Sequence, residues 1–272
     1  MSTYALTKLK GEIKRLGDQH QLWSPAVREL WRAANISEGQ TVLDAGCGPG
    51  FATMELKDLV GASGHVLAVD RTTDYLDYLR NKLKEQGVNN VEVKQAFLEE
   101  LPLQDNSVDH VFIRWVLLFV PDLNPVLQEF ARVLRTGGNL MVCDYHDFEY
   151  CLEGRIVPHS QIIDDFIATV MKYFVDNGVH NLRVGQVLPD MLHALNFKIQ
   201  STSIDMRVSA ANGDVWNWAL TFLKSAAAHM VAEGAYSQRQ LDEVLQEVDR
   251  LATVPNSAYI SPLFSLIRAT LQ

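Results

Sequence analysis

The chain has 272 residues, 47% of them hydrophobic and 21% charged, and a formal net charge of −9. Those proportions describe a globular chain with a sizeable core and argue against disorder over most of its length. The negative balance argues against nucleic acid and anionic membrane surfaces as partners, because phosphate neutralisation needs a basic footprint.

The first residues, Met1-Ser-Thr-Tyr-Ala-Leu, carry no apolar run of the kind a signal peptide needs, and no stretch reaches the roughly 18 apolar residues of a membrane span. The cysteines Cys47, Cys143 and Cys151 are odd in number and none stand as C-x-x-C. Reduced thiols in a cytoplasmic protein are the expectation, and a cysteine-based zinc site is not.

Residues 4–34 read as helical. Leu6, Leu9, Ile13 and Leu16 fall at helical spacing, and a second helix is expected to start at Ser24-Pro25, with the serine as cap and the proline in the first turn. From residue 41 the period changes. Apolar runs at 41–45, 65–70, 91–95, 108–114 and 139–144 alternate with helical stretches at 51–60, 75–86 and 123–135, the last expected to stop at Gly137-Gly138. Such alternation predicts a doubly wound α/β fold, its sheet mostly parallel with helices on both faces. Beyond 150 the pattern loosens into helices at 160–176 and 184–195 and a strand candidate at 197–208. Two helices follow over 213–252, broken near Gly234, and the tail from Ser261 leans to strand and would bring the sheet to seven. Three regions result: a helical cap at 1–34, a ligand-binding core at 35–146, and at 147–272 further cap segments with the last strands. Trp23, Trp31, Phe166, Met171, Tyr173, Phe174, Trp216, Trp218 and Phe222 supply apolar surface, either as the cap's own core or facing an apolar substrate.

The chemistry is concentrated at the end of the first strand. Asp44-Ala-Gly46-Cys47-Gly48-Pro-Gly50 opens the first helix, and Asp70 closes the next strand. Glycines there let the chain turn sharply and let a ligand approach bare backbone, and the carboxylate can accept ribose hydroxyls. A strand–glycine loop–helix followed by an acid points to an adenosine ligand. A dinucleotide loop reads G-x-G-x-x-G, but Phe51 stands where its third glycine would fall. Asp44 would repel a pyrophosphate and favour an ammonium group. A nicotinamide-dependent oxidoreductase is therefore the alternative, not the first reading, and a non-catalytic binding protein of the same fold is the other.

Val42-Leu-Asp-Ala-Gly-Cys-Gly-Pro-Gly50 resembles the first motif of class I S-adenosylmethionine-dependent methyltransferases. Val66-Leu-Ala-Val-Asp70 is similar to their second. Leu101-Pro-Leu-Gln-Asp-Asn-Ser-Val-Asp109 resembles the segment before the fourth strand, and Arg132-Val-Leu-Arg-Thr-Gly-Gly138 the one before the fifth, with Thr136 where proline is usual. The resemblance covers about residues 35–145 and is nearest to the small-molecule enzymes akin to those of quinone biosynthesis. It implies S-adenosylmethionine as cofactor and a small-molecule methyl acceptor. It implies that Gly46 and Gly48 approach the methionine moiety, that Asp70 binds ribose with Arg71 beside the adenine, and that Phe97 and Leu98 line the adenine pocket. Arg114 and Trp115 would sit at the methionine end. Many relatives carry an aspartate where this chain has Phe97, which shifts adenine recognition toward backbone and apolar contact.

Ligands in this fold lie beyond the carboxyl ends of the strands. That rule places Asp144-Tyr145-His146 near the methyl group, with His146 as candidate general base and Tyr145 as a substrate-positioning group. No H-E-x-x-H or similar cluster is present, so no metal is expected.

Overall fold

Short strands too apolar to face water on either side must be covered on both, and the alternating helices do this. A computed structural model of the protein describes residues 11–147 and 156–272. Leu6, Leu9 and Cys151 lie outside the described residues. Strands β1 (Thr41–Ala45), β2 (His65–Asp70), β3 (Val91–Gln95), β4 (Val108–Arg114) and β5 (Leu134–Tyr145) pair in parallel in the order β3-β2-β1-β4-β5. The sheet continues through β10 (Phe264–Leu271), antiparallel to β5, to β7 (Phe197–Asp205), antiparallel to β10. It has seven strands, one of them reversed. The expected α/β class and the strand reading of the tail both hold.

Alternation along each strand sends side chains to two layers. Leu43, Ala45, Val111, Ile113, Leu140 and Val142 meet α4 (Leu123–Val133) and α6 (Val184–Ala194) on one face. Val42, Val66, Phe112, Met141 and Cys143 meet α1 (Glu12–Ala33) and α2 (Phe51–Val60) on the other. On that same side, α3 (Thr73–Glu85) packs Leu76, Leu79 and Leu83 against Ala68.

Two expectations about boundaries need correction. The chain makes no new start at Ser24-Pro25, because α1 runs unbroken through Pro25. Proline cannot donate to the Gln21 carbonyl, and the buried Ser24 Oγ donates to it instead at 3.3 Å. The serine repairs the ladder rather than capping a helix. Likewise α4 ends at Val133, before Gly137-Gly138, and β5 starts at once with Leu134. The glycines lie in an irregularity where the β4–β5 register jumps from Val108↔Leu134 to His110↔Asn139. Gly137 there has φ +82°, which favours glycine.

The remaining elements form a second layer against the residues just past β4, Trp115, Leu118 and Phe119 among them. Helices α5 (Gln161–Asp176), α7 (Asp214–Ala232) and α8 (Gln238–Ala252) share one apolar cluster that includes Phe166, Phe174, Trp216 and Met230. A small sheet that the sequence reading did not anticipate joins them. Its strands are β6 (Ile156–Val157), β8 (Val208–Ala210) and β9 (Ala258–Ile260), in the order β6-β9-β8. α1 serves both layers. Its Trp31 packs edge-on to Phe112 of the core, while Trp23 sits at 5.4 Å from Trp218 of α7 and 4.7 Å from Phe264 of β10.

Candidate functional site

Parallel register brings the carboxyl ends of β1, β2 and β4 side by side: Ala45 pairs with Val69 and with Ile113. The residues just past those ends therefore converge. Gly46 and Cys47 N–H groups both donate to the Val69 carbonyl, at 2.8 and 2.9 Å, which ties the glycine loop to β2. Gly48 N–H donates to Asp70 Oδ2 at 2.9 Å, and Thr72 N–H donates to Asp70 Oδ1 at 2.8 Å. One carboxylate thus anchors both the loop and the start of the next helix.

A cleft opens over this junction. Asp44, Gly46, Cys47, Gly48, Asp70, Arg71, Phe97, Leu98, Arg114 and Trp115 all line it. The ten residues singled out for ligand binding are thus brought together in one place. The two glycines differ in what they do. Gly46 has φ +69°, and a Cβ there would fall 2.4 Å from Val116 Cγ2, so its bareness serves packing. Gly48 has φ +53° and open space where its Cβ would stand, so its bareness serves whatever occupies the cleft. Leu98 is buried in the wall, whereas Phe97 stays 63% exposed at the mouth.

At the floor lie two buried charges that feel each other without forming a direct salt bridge. Asp44 is buried, and its Oδ2 accepts from Thr53 Oγ1 at 2.5 Å. Burial pushes its carboxyl up to about 6, against the opposing pull of the Thr53 hydrogen bond and the Arg114 charge. Arg114 stacks its guanidinium over Trp115 at 4.9 Å and donates through Nη2 to His20 Nδ1 at 2.8 Å. Burial lowers its pKa from the ordinary arginine value. Its Nη1 is buried and has no hydrogen-bond partner among the described residues. Trp115 itself has φ +54°, a strained backbone for a bulky residue and a feature that clusters at functional sites.

The raised carboxyl has a measurable consequence. An unfolded aspartate ionises near 3.9, so between about pH 4 and 6 the folded chain keeps a proton that the unfolded chain has lost, and Asp44 lowers stability progressively as pH rises through that window. Asp44→Asn, which cannot ionise, should gain on the wild type by about 2–3 kcal/mol from pH 4 to pH 7. Urea denaturation at both pH values checks this. A difference independent of pH would show that Asp44 carries no raised pKa.

Tyr145 and His146 are not among the residues that line the cleft. Past Tyr145 the chain stays on β10: His146 N–H donates to the Leu263 carbonyl and Nδ1 is 2.9 Å from Ser265 Oγ. Gly185 of α6 presses on His146, with so little room that a Cβ would come 2.7 Å from its Cα. Tyr145 packs its ring at 5.0 Å from Phe264. The structure thus does not bring Tyr145 and His146 into this cleft with the other ten, because the strand-end rule gives a height in the sheet and not a direction. Asp144, just before them, is structural. Its Oδ2 accepts from Val116 and Leu117 N–H at 3.1 and 2.9 Å and fixes the short 3-10 turn Leu117–Phe119 after β4.

The sequence reading also missed cleft residues from α1 and from that turn. Leu16, Gln19 and Phe119 reach the cleft. Gln19 Oε1 accepts from Trp218 Nε1 at 3.0 Å and from Arg15 Nη1 at 2.8 Å, joining α1 to α7 at the rim. No local motif marks these positions, since only the long-range packing of α1 on the sheet carries them there.

The chain is similar in sequence and in fold to known proteins. A family model described as "Methyltransferase domain" matches residues 36–246. The chain is 36% identical over 132 residues to the ubiquinone/menaquinone biosynthesis C-methyltransferase UbiE of Vibrio cholerae, covering 46% of this chain and 51% of that one. It is 37% identical over 155 residues to a demethylmenaquinone methyltransferase of Listeria welshimeri, covering 57% and 62%. The matches thus span between about half and three-fifths of these curated relatives. In fold it is similar to the YcgJ protein of Bacillus subtilis, with a TM-score of 0.61 at 18% identity over 92% of this chain and 99% of that one.

Proposed function

The chain belongs to the methyltransferase-domain family, and from that premise we propose that it transfers a methyl group from S-adenosylmethionine to a small-molecule acceptor. The observation that carries this reading is the cleft floor, where a buried carboxylate and a buried guanidinium stand near one another without a salt bridge between them, and the guanidinium's Nη1 has no hydrogen-bond partner among the described residues. Buried charges left apart are costly unless a ligand brings the opposite charges to each. An α-amino acid group does so, with its ammonium toward Asp44 and its carboxylate toward Arg114. A pyrophosphate would bring negative charge to both, which disfavours a nicotinamide cofactor, as Phe51 does in the loop.

Bound in this cleft, S-adenosylmethionine supplies an electrophilic methyl group on sulfur. The protein's residues hold, orient and shield. Gly48 offers bare backbone, Asp70 has lone pairs left for ribose hydroxyls, and Arg71, Phe97 and Leu98 surround the place for adenine. Leu16, Phe119 and Trp115 present an apolar wall that excludes water from the reacting centre. The walled cleft and the acidic chain support a small organic acceptor over nucleic acid, and the relatives named for quinone methylation make an aromatic ring one class to test. No helix among the described residues is long and apolar enough to cross a membrane. The unpaired, buried thiols of Cys47 and Cys143 support a reducing, cytoplasmic setting.

Calorimetry with S-adenosylhomocysteine tests the cofactor. A measurable heat is expected, and none at millimolar ligand would defeat the proposal. Asp70→Ala should weaken that binding by about 1–3 kcal/mol, the scale for lost charged hydrogen bonds. Formation of S-adenosylhomocysteine with a panel of phenols, amines and quinones tests turnover.

A further inference from the structure

Beyond the cleft wall, Arg114 of β4 is held by a chain of side chains drawn from two helices. Its Nη2 donates to His20 Nδ1 of α1 at 2.8 Å. Arginine has no acceptor, so this nitrogen of His20 must be unprotonated and the ring proton must sit on Nε2. That Nε2–H donates to Glu55 Oε1 of α2 at 2.8 Å. Glu55 is gripped in turn by Arg28, with Nε to Oε2 at 2.8 Å and Nη2 to Oε1 at 2.7 Å. His20 is buried and its ring stacks on Phe51 at 5.9 Å, so the tautomer and the ring plane are both fixed.

We propose that His20 is a positioning residue for the cofactor: bridged to Glu55, it holds the Arg114 guanidinium in place to receive the carboxylate of the amino acid moiety. The proposal rests on the cofactor reading above. A neutral imidazole suits the task, since a charged one would repel the guanidinium. Burial, and then the Arg114 charge, lower its pKa to about 4, so it stays neutral at physiological pH. The arrangement also makes α1 part of the cofactor site through its chemistry as well as its bulk.

Two ligands separate the possibilities. S-adenosylhomocysteine carries the carboxylate, whereas methylthioadenosine keeps the adenosine and sulfur but lacks the amino acid group. In calorimetry, His20→Phe, which fills the space but accepts no hydrogen bond, should weaken S-adenosylhomocysteine about tenfold and methylthioadenosine less than twofold. His20→Asn, whose amide oxygen can stand in for Nδ1, should recover most of the loss. His20→Gln, whose longer amide reaches the Nε2 position and keeps only the Glu55 contact, should behave like the phenylalanine variant and replaces it if that chain does not fold. Equal weakening of both ligands, or unchanged affinity for S-adenosylhomocysteine, would overturn the role of His20. Wild-type protein that binds neither ligand would instead overturn the cofactor reading beneath it.

Discussion

Arg114→Met should lower affinity for S-adenosylhomocysteine by about a hundredfold or more while leaving the ligand-free protein as stable as before, or more stable. The two halves of this expectation share one cause. In the free protein the guanidinium is desolvated, its Nη1 has no acceptor, and no carboxylate of the described residues closes a salt bridge with it. An apolar side chain of similar volume removes that cost, which offsets the bond lost to His20 Nδ1, and such replacements of buried charge are often neutral or stabilising. Once the ligand's carboxylate is present, the same guanidinium becomes the partner of a buried charge, and losing one member of such a pair costs about 2–5 kcal/mol. Thermal unfolding with and without ligand separates these contributions. A variant that melts earlier yet binds normally would mean Arg114 belongs to the scaffold rather than to the ligand.

Gly46→Ala is expected to destabilise the fold by about 2–5 kcal/mol. A left-handed backbone costs an L-residue about 1–2 kcal/mol, and overpacking a tight site adds about 1–3 kcal/mol. The obstacle is specific: the new methyl would stand 2.4 Å from Cγ2 and 3.1 Å from Cγ1 of Val116. Trimming that neighbour should therefore recover the steric part and leave the conformational part. In a urea double-mutant cycle, Gly46→Ala and Val116→Ala should couple favourably by about 1–3 kcal/mol. Strict additivity would show that the loop relieves the clash by moving. Alanine at Gly48 meets nothing within 4 Å, so only the backbone term applies there to stability, and its main effect should fall on ligand affinity.

The contrast between these glycines shows what sequence can and cannot tell. Spacing identified the loop, the acid at Asp70 and the strand ends that carry Arg114, because those features are local: a strand, a turn and a helix in immediate succession. It could not divide the glycines by task, since Val116 reaches Gly46 across the sheet. The same limit explains Tyr145 and His146. Their height in the sheet follows from the strand, but their direction follows from β10, whose Leu263 and Ser265 neighbours lie over a hundred residues further along. Leu16, Gln19 and His20 escaped for a third reason. An amphipathic helix announces that one face is covered without saying by what. Pro25 misled for a local reason, because a proline that starts a helix and one tolerated within it look alike until the carbonyl it strands has found another donor.

β10 occupies the sixth place in the seven-stranded sheet yet is the last of the seven in chain order. During synthesis on the ribosome, β7 emerges long before the only strand that can bind it within that sheet, and the outer flank of β5 stays bare over the same interval. The α1–β5 portion can assemble as it is made, but its final edge must wait for more than a hundred further residues to be translated, and β7 for more than fifty. A nascent chain stalled before Phe264 should therefore present two unsatisfied strand edges at once. Protection from chaperones or from rapid self-association would be needed at that moment, and not earlier.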